Sequence, residues 1–216
     1  MVSQEEMIEQ QLKGRHITDE GVLQAMREVD RRLFVPEEKE HLAFEDRPLP
    51  IGKNQTISQP YIVAYMAEQL HLSKKDKVLE VGTGCGYNAA VLSRLVHHVY
   101  SIEIIGWLAE LARKNLEKTD YDNISTRHGD GFAGWPEEAP FDAIILTAAP
   151  PVIPHPLKEQ LKIDGKILAP VGRLNQKLVL ITKTAEDEFA EKTLLPVRFV
   201  PMTGRADKGG NYGQLI

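Results

Sequence analysis

Three acidic residues and three glycines lie in this chain at spacings that suit a ligand site. Glu80, Gly82, Gly84 and Gly86 fall in "LEVGTGCGYN" (79–88), Glu103 in "SIEI" (101–104) and Asp130 in "GDG" (129–131). Glycines between an apolar run and a helical one permit a sharp turn and a close backbone approach to a bound group. The spacing is G-x-G-x-G and departs from the G-x-G-x-x-G of dinucleotide sites. Glu80 argues further against a phosphate. Two unit charges about 4 Å apart interact by about 4 kcal/mol at an effective dielectric near 20. Beside the ligand, Glu80 is therefore expected to repel a pyrophosphate and favour a cation. Glu103 ends the next strand, where a carboxylate takes ribose hydroxyls. Asp130 is placed to accept from an exocyclic amine, and the Gly131 N–H to donate to the same ring.

S-adenosylmethionine carries a ribose, an adenine, an ammonium and a sulfonium, and no phosphate. The expected cofactor contacts are Glu80, Gly82, Thr83, Gly84, Glu103, Asp130 and Gly131. Each acid also has an ordinary reading. Glu80 is then a solvent-facing strand end, Glu103 a charge at the start of the next helix, and Asp130 a turn residue.

The chemistry at the acceptor is narrowed by what is missing. The end of the fourth strand of the alternating region reads "LTAAPP" (146–151), with no acid, amide or following aromatic to activate an amine. Cys85 is the single cysteine and lies inside the glycine turn, where it reads as a small filler. No His, Cys or acidic spacing suggests a metal site. An acceptor that is already anionic, such as a carboxylate, needs no general base. It needs donors to orient it, and "NQTISQP" (54–60) supplies Asn54, Gln55, Thr56, Ser58 and Gln59. The alternative for Ser58 is an N-cap on the helix beginning near Pro60.

These residues must be held by an alternating framework. Residues 4–30 have two stretches of helical periodicity, the second starting at Thr18-Asp19. Residues 41–60 are rich in Pro, Gly and Asn and read as a long functional loop. A helix over 61–70 follows. Strands are predicted at 77–82, 99–104, 124–130 and 141–149, with helices at 87–98, 107–118 and about 154–162. His97 and His98 then end a helix, where they suit its dipole. Strands at 165–172 and 177–184 are joined by a short turn, so the sheet gains an antiparallel member, and 188–202 adds another strand near its end. The fold class is α/β: a doubly wound, mostly parallel sheet, Rossmann-like, with an N-terminal helical extension and an antiparallel strand late in the chain. One domain is expected, with helices and substrate loop at 1–60, the cofactor-binding core at 61–184, and a C-terminal strand and tail at 185–216.

The chain has 216 residues, 42% hydrophobic and 26% charged, and a formal net charge of −5. That balance argues against a broad nucleic-acid or anionic-membrane surface. The polar N-terminus has no secretory pattern, and no apolar run approaches a membrane span. A cytoplasmic protein is expected.

Taken together, "RRLFVP" (31–36), "DRPLPIGKNQTISQPYIVAYM" (46–66), "VLEVGTGCGYNAAVLS" (78–93), "SIEI", "GDG", "APFDAIILTAAPPVIP" (139–154), "LAPVG" (168–172) and "FVPM" (199–202) resemble the protein-L-isoaspartate O-methyltransferase family. The likeness covers nearly the whole chain, and "QTISQP" is its most diagnostic part. Asn54 stands where the family usually has Gly, and Cys85 where Ser is frequent. The resemblance implies a carboxyl methyltransferase that uses S-adenosylmethionine on the free α-carboxylate of L-isoaspartyl residues in damaged proteins. Its active-site serine falls on Ser58, with Thr56, Ile57 and Gln59 also meeting the substrate peptide. A monomer acting on isoaspartyl peptides and proteins, without nucleic acid or membrane, is expected. The rivals are a methyltransferase for a small carboxylate or hydroxyl compound, a nicotinamide dehydrogenase, and a non-catalytic S-adenosylmethionine-binding protein.

Overall fold

The computed structural model describes residues 1–118 and 121–207. Residues 208–216 of the expected tail lie outside the described residues. Among the described residues, seven strands form one sheet in the order β5-β4-β3-β6-β7-β8-β9. These are β3 (Lys77–Val81), β4 (His98–Glu103), β5 (Ile124–His128), β6 (Phe141–Leu146), β7 (Leu161–Val171), β8 (Gln176–Ala185) and β9 (Glu188–Val197). Neighbours from β5 to β7 pair in parallel, and β8 runs antiparallel to both β7 and β9. β3 is buried along nearly its whole length, as a strand covered on both faces must be. Among the described residues no helix is long and apolar enough to cross a membrane.

Helix α4 (Tyr87–Ser93) is shorter than its periodicity suggests. The Asp76 carbonyl accepts the amides of His97 at 2.9 Å and His98 at 3.3 Å. This bond turns the chain into β4 early. His98 is therefore a strand residue whose Nε2 lies 2.9 Å from Ser125 Oγ, and not a helix end.

Three helices complete the frame around the site: α3 (Pro60–Leu70), α5 (Gly106–Glu117) and α6 (His155–Glu159). The segment expected as loop holds a hairpin, β1 (Leu49–Gly52) against β2 (Gln55–Ile57). Leu49, Ile51 and Ile57 are buried and anchor it. Its turn takes Gly52, Lys53 and Asn54 through positive φ, so Asn54 does the work of a glycine there. A Cβ at Gly52 would come within 3.0 Å of the Trp107 ring at the start of α5. The last strand ends at Val197, short of the expected 202. Residues 199–206 instead return to the carboxyl ends of β5 and β6. Ala149 N donates to Val200 O at 2.8 Å, and Met202 N to Ala149 O at 2.9 Å.

At the N-terminus, α1 (Gln4–Glu6) runs on through a π-helical segment, Met7–Leu12, and α2 (Glu20–Glu28) is capped by Asp19. Met7, Ile8, Leu12, Leu23 and Met26 are fully buried in the same apolar cluster as α3 and α4. The next turn carries Arg31, which is 0% exposed. Its Nε donates to Ala43 O at 2.8 Å and its Nη2 to Ser58 O at 2.7 Å. Its guanidinium also lies over the Tyr87 ring, 4.8 Å from the centroid. Nη1 has no hydrogen-bond partner.

A lysine at position 31 keeps the charge but cannot fork to two carbonyls. Arg31→Lys is expected to lower the unfolding free energy by about 1–3 kcal/mol and to speed amide exchange in residues 43–59. Denaturant melts and hydrogen–deuterium exchange read both effects. Unchanged exchange in that segment would show that the arginine does not hold it.

Candidate active site

The carboxyl ends of β3, β4 and β6 open into one crevice, where ligands of such sheets bind. The glycine turn forms its floor. Gly82, Gly84 and Gly86 have φ of 104°, 59° and 93°, a region that side chains with a Cβ rarely enter. A Cβ at Gly82 would collide with the Thr147 hydroxyl at the end of β6. Thr147 Oγ1 in turn donates to Val81 O at 3.2 Å. So the turn is pressed against the neighbouring strand, and only glycine fits.

Gly82, Thr83, Gly84, Glu103, Asp130 and Gly131 all line the crevice, as do Thr56, Ile57 and Ser58. The Glu103 carboxylate accepts Gly84 N at 2.8 Å through one oxygen and Ile105 N at 2.9 Å through the other. Burial raises its pKa, and those two amides offset part of the rise. Asp130 accepts Phe132 N at 3.0 Å and Arg205 N at 2.9 Å, one on each oxygen. Each oxygen of both acids keeps a second lone pair for a ligand donor. Among the described residues no Lys, Arg or His lines this crevice. A pocket with two carboxylates and no cation suits a cationic nucleoside and disfavours a pyrophosphate. Among the described residues no cluster of His, Cys, Asp and Glu is placed for a metal ion.

Glu80 is the exception. Its carboxylate was expected beside the ligand, but it is 0% exposed and lies behind the turn. Successive strand residues point to opposite faces. Val81 borders the crevice, while Glu80 turns towards α4. There it accepts Asn88 Nδ2 at 2.8 Å and the Ser101 hydroxyl. Ser101 Oγ lies 2.6 Å from Thr83 Oγ1. Desolvation pushes the Glu80 pKa up to about 7 against the lowering effect of these two bonds. The direct repulsion expected of Glu80 thus falls to Glu103 and Asp130. Glu80 reaches the crevice through Asn88, which does line it.

Ser58 does not cap α3. The N-cap position is Gln59, and no side chain caps that end. Ser58 lies where the crevice meets a second groove, and so does Thr56. Gln59 borders only the groove, with Nε2 donating to Asp46 at 2.8 Å. Cys85 is a buried filler whose thiol is pushed up to about 11 by desolvation. Sequence reasoning gave no role to Arg31, Asn88 or Thr147, or to residues 200–203, which close one side of the crevice. The motifs "RRLFVP" and "FVPM" held the only signal for the first and last of these.

Glu80 gives a pH signature. Its folded pKa is raised above the unfolded value, so the folded chain holds its proton to higher pH. Through this group, stability falls as pH rises from about 4.5 to about 7. Glu80→Gln removes that fall. The stability of the variant relative to the wild type should climb through this window by at most about 1.4 kcal/mol per pH unit, then level off. Urea melts from pH 4 to 8 measure it, and a constant difference would show that the carboxyl is not perturbed.

A family model described as protein-L-isoaspartate(D-aspartate) O-methyltransferase matches residues 2–207. Protein-L-isoaspartate O-methyltransferase 2 of Pelobacter propionicus is 52% identical over 200 residues, covering 92% of this chain and 89% of its own. The protein-L-isoaspartate O-methyltransferase of Methanothermobacter thermautotrophicus is 48% identical over 204 residues, covering 92% and 94%. A solved protein-L-isoaspartate O-methyltransferase superposes with a TM-score of 0.86 at 30% identity, over 97% of this chain and 68% of that one. A Plasmodium falciparum structure described as a putative protein-L-isoaspartate O-methyltransferase, in complex with S-adenosyl-L-homocysteine, gives 0.81 at 26% identity, over 91% and 96%. With its parallel sheet, its glycine turn and its carboxylate-lined crevice, the chain belongs to the protein-L-isoaspartate(D-aspartate) O-methyltransferase family.

Proposed function

We propose that Ser58 orients the acceptor carboxylate in a reaction whose overall course follows from the family. The chain is an S-adenosylmethionine-dependent carboxyl methyltransferase. It acts on the free α-carboxylate of L-isoaspartyl residues in damaged proteins. When bound, S-adenosylmethionine supplies an electrophilic methyl group on a sulfonium, and its transfer to a carboxylate oxygen leaves S-adenosylhomocysteine. The adjoining backbone amide nitrogen then attacks the methyl ester without the enzyme, losing its proton as methanol leaves, and hydrolysis of the resulting succinimide returns part of it to aspartate.

The residues that would hold the methyl donor fit its chemistry. Glu103 offers acceptors to ribose hydroxyls. Asp130 and the Gly131 N–H offer an acceptor and a donor to adenine. Gly82, Thr83 and Gly84 bring backbone close to the methionyl part. Asn88, its amide nitrogen held by Glu80, would have its carbonyl oxygen free to accept from the ammonium. The acceptor carboxylate is ionised near neutral pH, because carboxyl pKa values are about 4. No general base is then required, and among the described residues none that lines the crevice is a His or Lys. What the chain must supply is position and a dry site.

The observation that carries the reading is the place of the Ser58 hydroxyl. Ser58 lines both the crevice and the groove, and its hydroxyl makes no hydrogen bond among the described residues. Its backbone is fixed by Arg31, so the hydroxyl is held without being used. Thr56, Ile57 and Gln59 present the neighbouring backbone to the substrate chain. The expected monomer, working in the cytoplasm without nucleic acid or membrane, remains part of this proposal. The net charge of −5 supports the exclusion of nucleic acid.

Ser58→Ala is expected to slow methyl transfer to an isoaspartyl peptide by about tenfold to a hundredfold, the worth of a hydrogen bond to a charged group. S-adenosylmethionine binding by calorimetry should stay near the wild-type value. Glu103→Gln is expected to do the reverse, weakening that binding by about tenfold. An unchanged rate in the first variant would take Ser58 out of the mechanism. Unchanged affinity in the second would place ribose recognition elsewhere.

A further inference from the structure

The space in front of Ser58 continues beyond the crevice. A groove of about 710 Å³ opens from it, and Thr56, Ser58, Thr147 and Val200 border both. Tyr61 and Ile62 of α3 form one side, and the end of β9 with the residues after it forms the other. A chain whose isoaspartyl carboxylate meets Ser58 must lay its neighbouring residues here.

The charge of this groove is one-sided. Arg15 and Arg198 line it, and no Asp or Glu does among the described residues. The two arginines are not equivalent. Arg15 is paired with Asp46 at 3.0 Å and stacked 3.5 Å from the centroid of the Tyr61 ring, so its place is fixed and its charge partly answered. Arg198 is exposed and has no acidic partner among the described residues. A net charge of −5 makes this a local reversal of the overall balance. The crevice next to it shows the opposite polarity, with carboxylates and no cation among the described residues. Two adjoining spaces of opposite sign suit a cationic donor in one and an anionic chain in the other.

We propose that Arg198, aided by Arg15, selects isoaspartyl peptides whose flanking residues are acidic. The proposal rests on the isoaspartyl reading given above. Flank contacts of this kind form on binding and do not change as the methyl group moves, so the preference belongs in KM and leaves kcat alike across peptides. Exposed ion pairs are weak, and a preference of about two- to fivefold is expected from each. Screening should shrink it at high ionic strength.

The test uses the full chain and three isoaspartyl peptides that differ only in the residues beside the isoaspartate: Glu, Ala or Lys. Matched aspartyl peptides serve as controls. The wild type is expected to rank Glu over Ala over Lys in kcat/KM, through KM, with the spread narrowing in added salt. Arg198→Glu should reverse that ranking. Lys75→Glu makes the same change in net charge at an exposed position ahead of β3, at the opposite end of the sheet, and should leave the ranking as it is. Equal kcat/KM for the three peptides would overturn the proposal, and so would a ranking that survives Arg198→Glu. In either case the isoaspartyl reading would still stand. Failure to methylate any isoaspartyl peptide above its aspartyl control would overturn both.

Discussion

Arg31 reaches the carbonyls of Ala43 and Ser58 from complete burial, and no carboxylate answers its charge among the described residues. Taking such a group out of water is costly, and two carbonyl dipoles and one aromatic face offset only part of that. The gain is geometric. The fork spans two chain segments that share no secondary structure, and the ring beneath it belongs to Tyr87, the first residue of α4 after the glycine turn. Phe34 meets the same ring edge-on, with centroids 5.5 Å apart. The segment carrying Ser58 and the glycine turn therefore share one support. A displacement of either is felt by the other.

The electrostatics of the crevice follow from which groups were left exposed to it. Glu103 and Asp130 each spend one lone pair per oxygen on a backbone amide and are thereby aimed. Glu80 is turned inward and works at one remove, through the amide of Asn88 and the chain of hydroxyls Ser101 and Thr83. With a pKa near 7, it carries a full charge only above neutrality. A charge that is partial and hidden cannot exclude a phosphate by itself. Exclusion rests instead on two aimed carboxylates and on a lining without a cationic side chain among the described residues.

Much of this was legible in the chain because the forces involved are local. Three glycines need positive φ within five residues, and that requirement is written in their spacing. The strands β3, β4 and β6 announce themselves by apolar runs, and Pro60 marks the first turn of α3. The orientation of Glu80 was not legible. β3 is buried on both faces, so an alternating pattern cannot say which face meets the ligand. The early end of α4 was hidden as well, since the Asp76 carbonyl that stops it lies far off in sequence. The hairpin at 49–57 was obscured by Pro, Gly and Asn, residues that signal turns and mask the two short strands around them. Residues 200–203 join the crevice through bonds to Ala149 that no local pattern encodes.

That last contact bears on when the protein can begin to work. The segment carrying Ser58 and the glycine turn lie in the first half of the chain, while the strip that walls their other side comes near residue 200. A ribosome adds roughly 5–20 residues per second, so on the order of ten seconds separates the two. Until the strip docks on Ala149 and Asp130, the nascent molecule has a cleft open on one side. The crevice is therefore among the last parts of the structure that synthesis can complete.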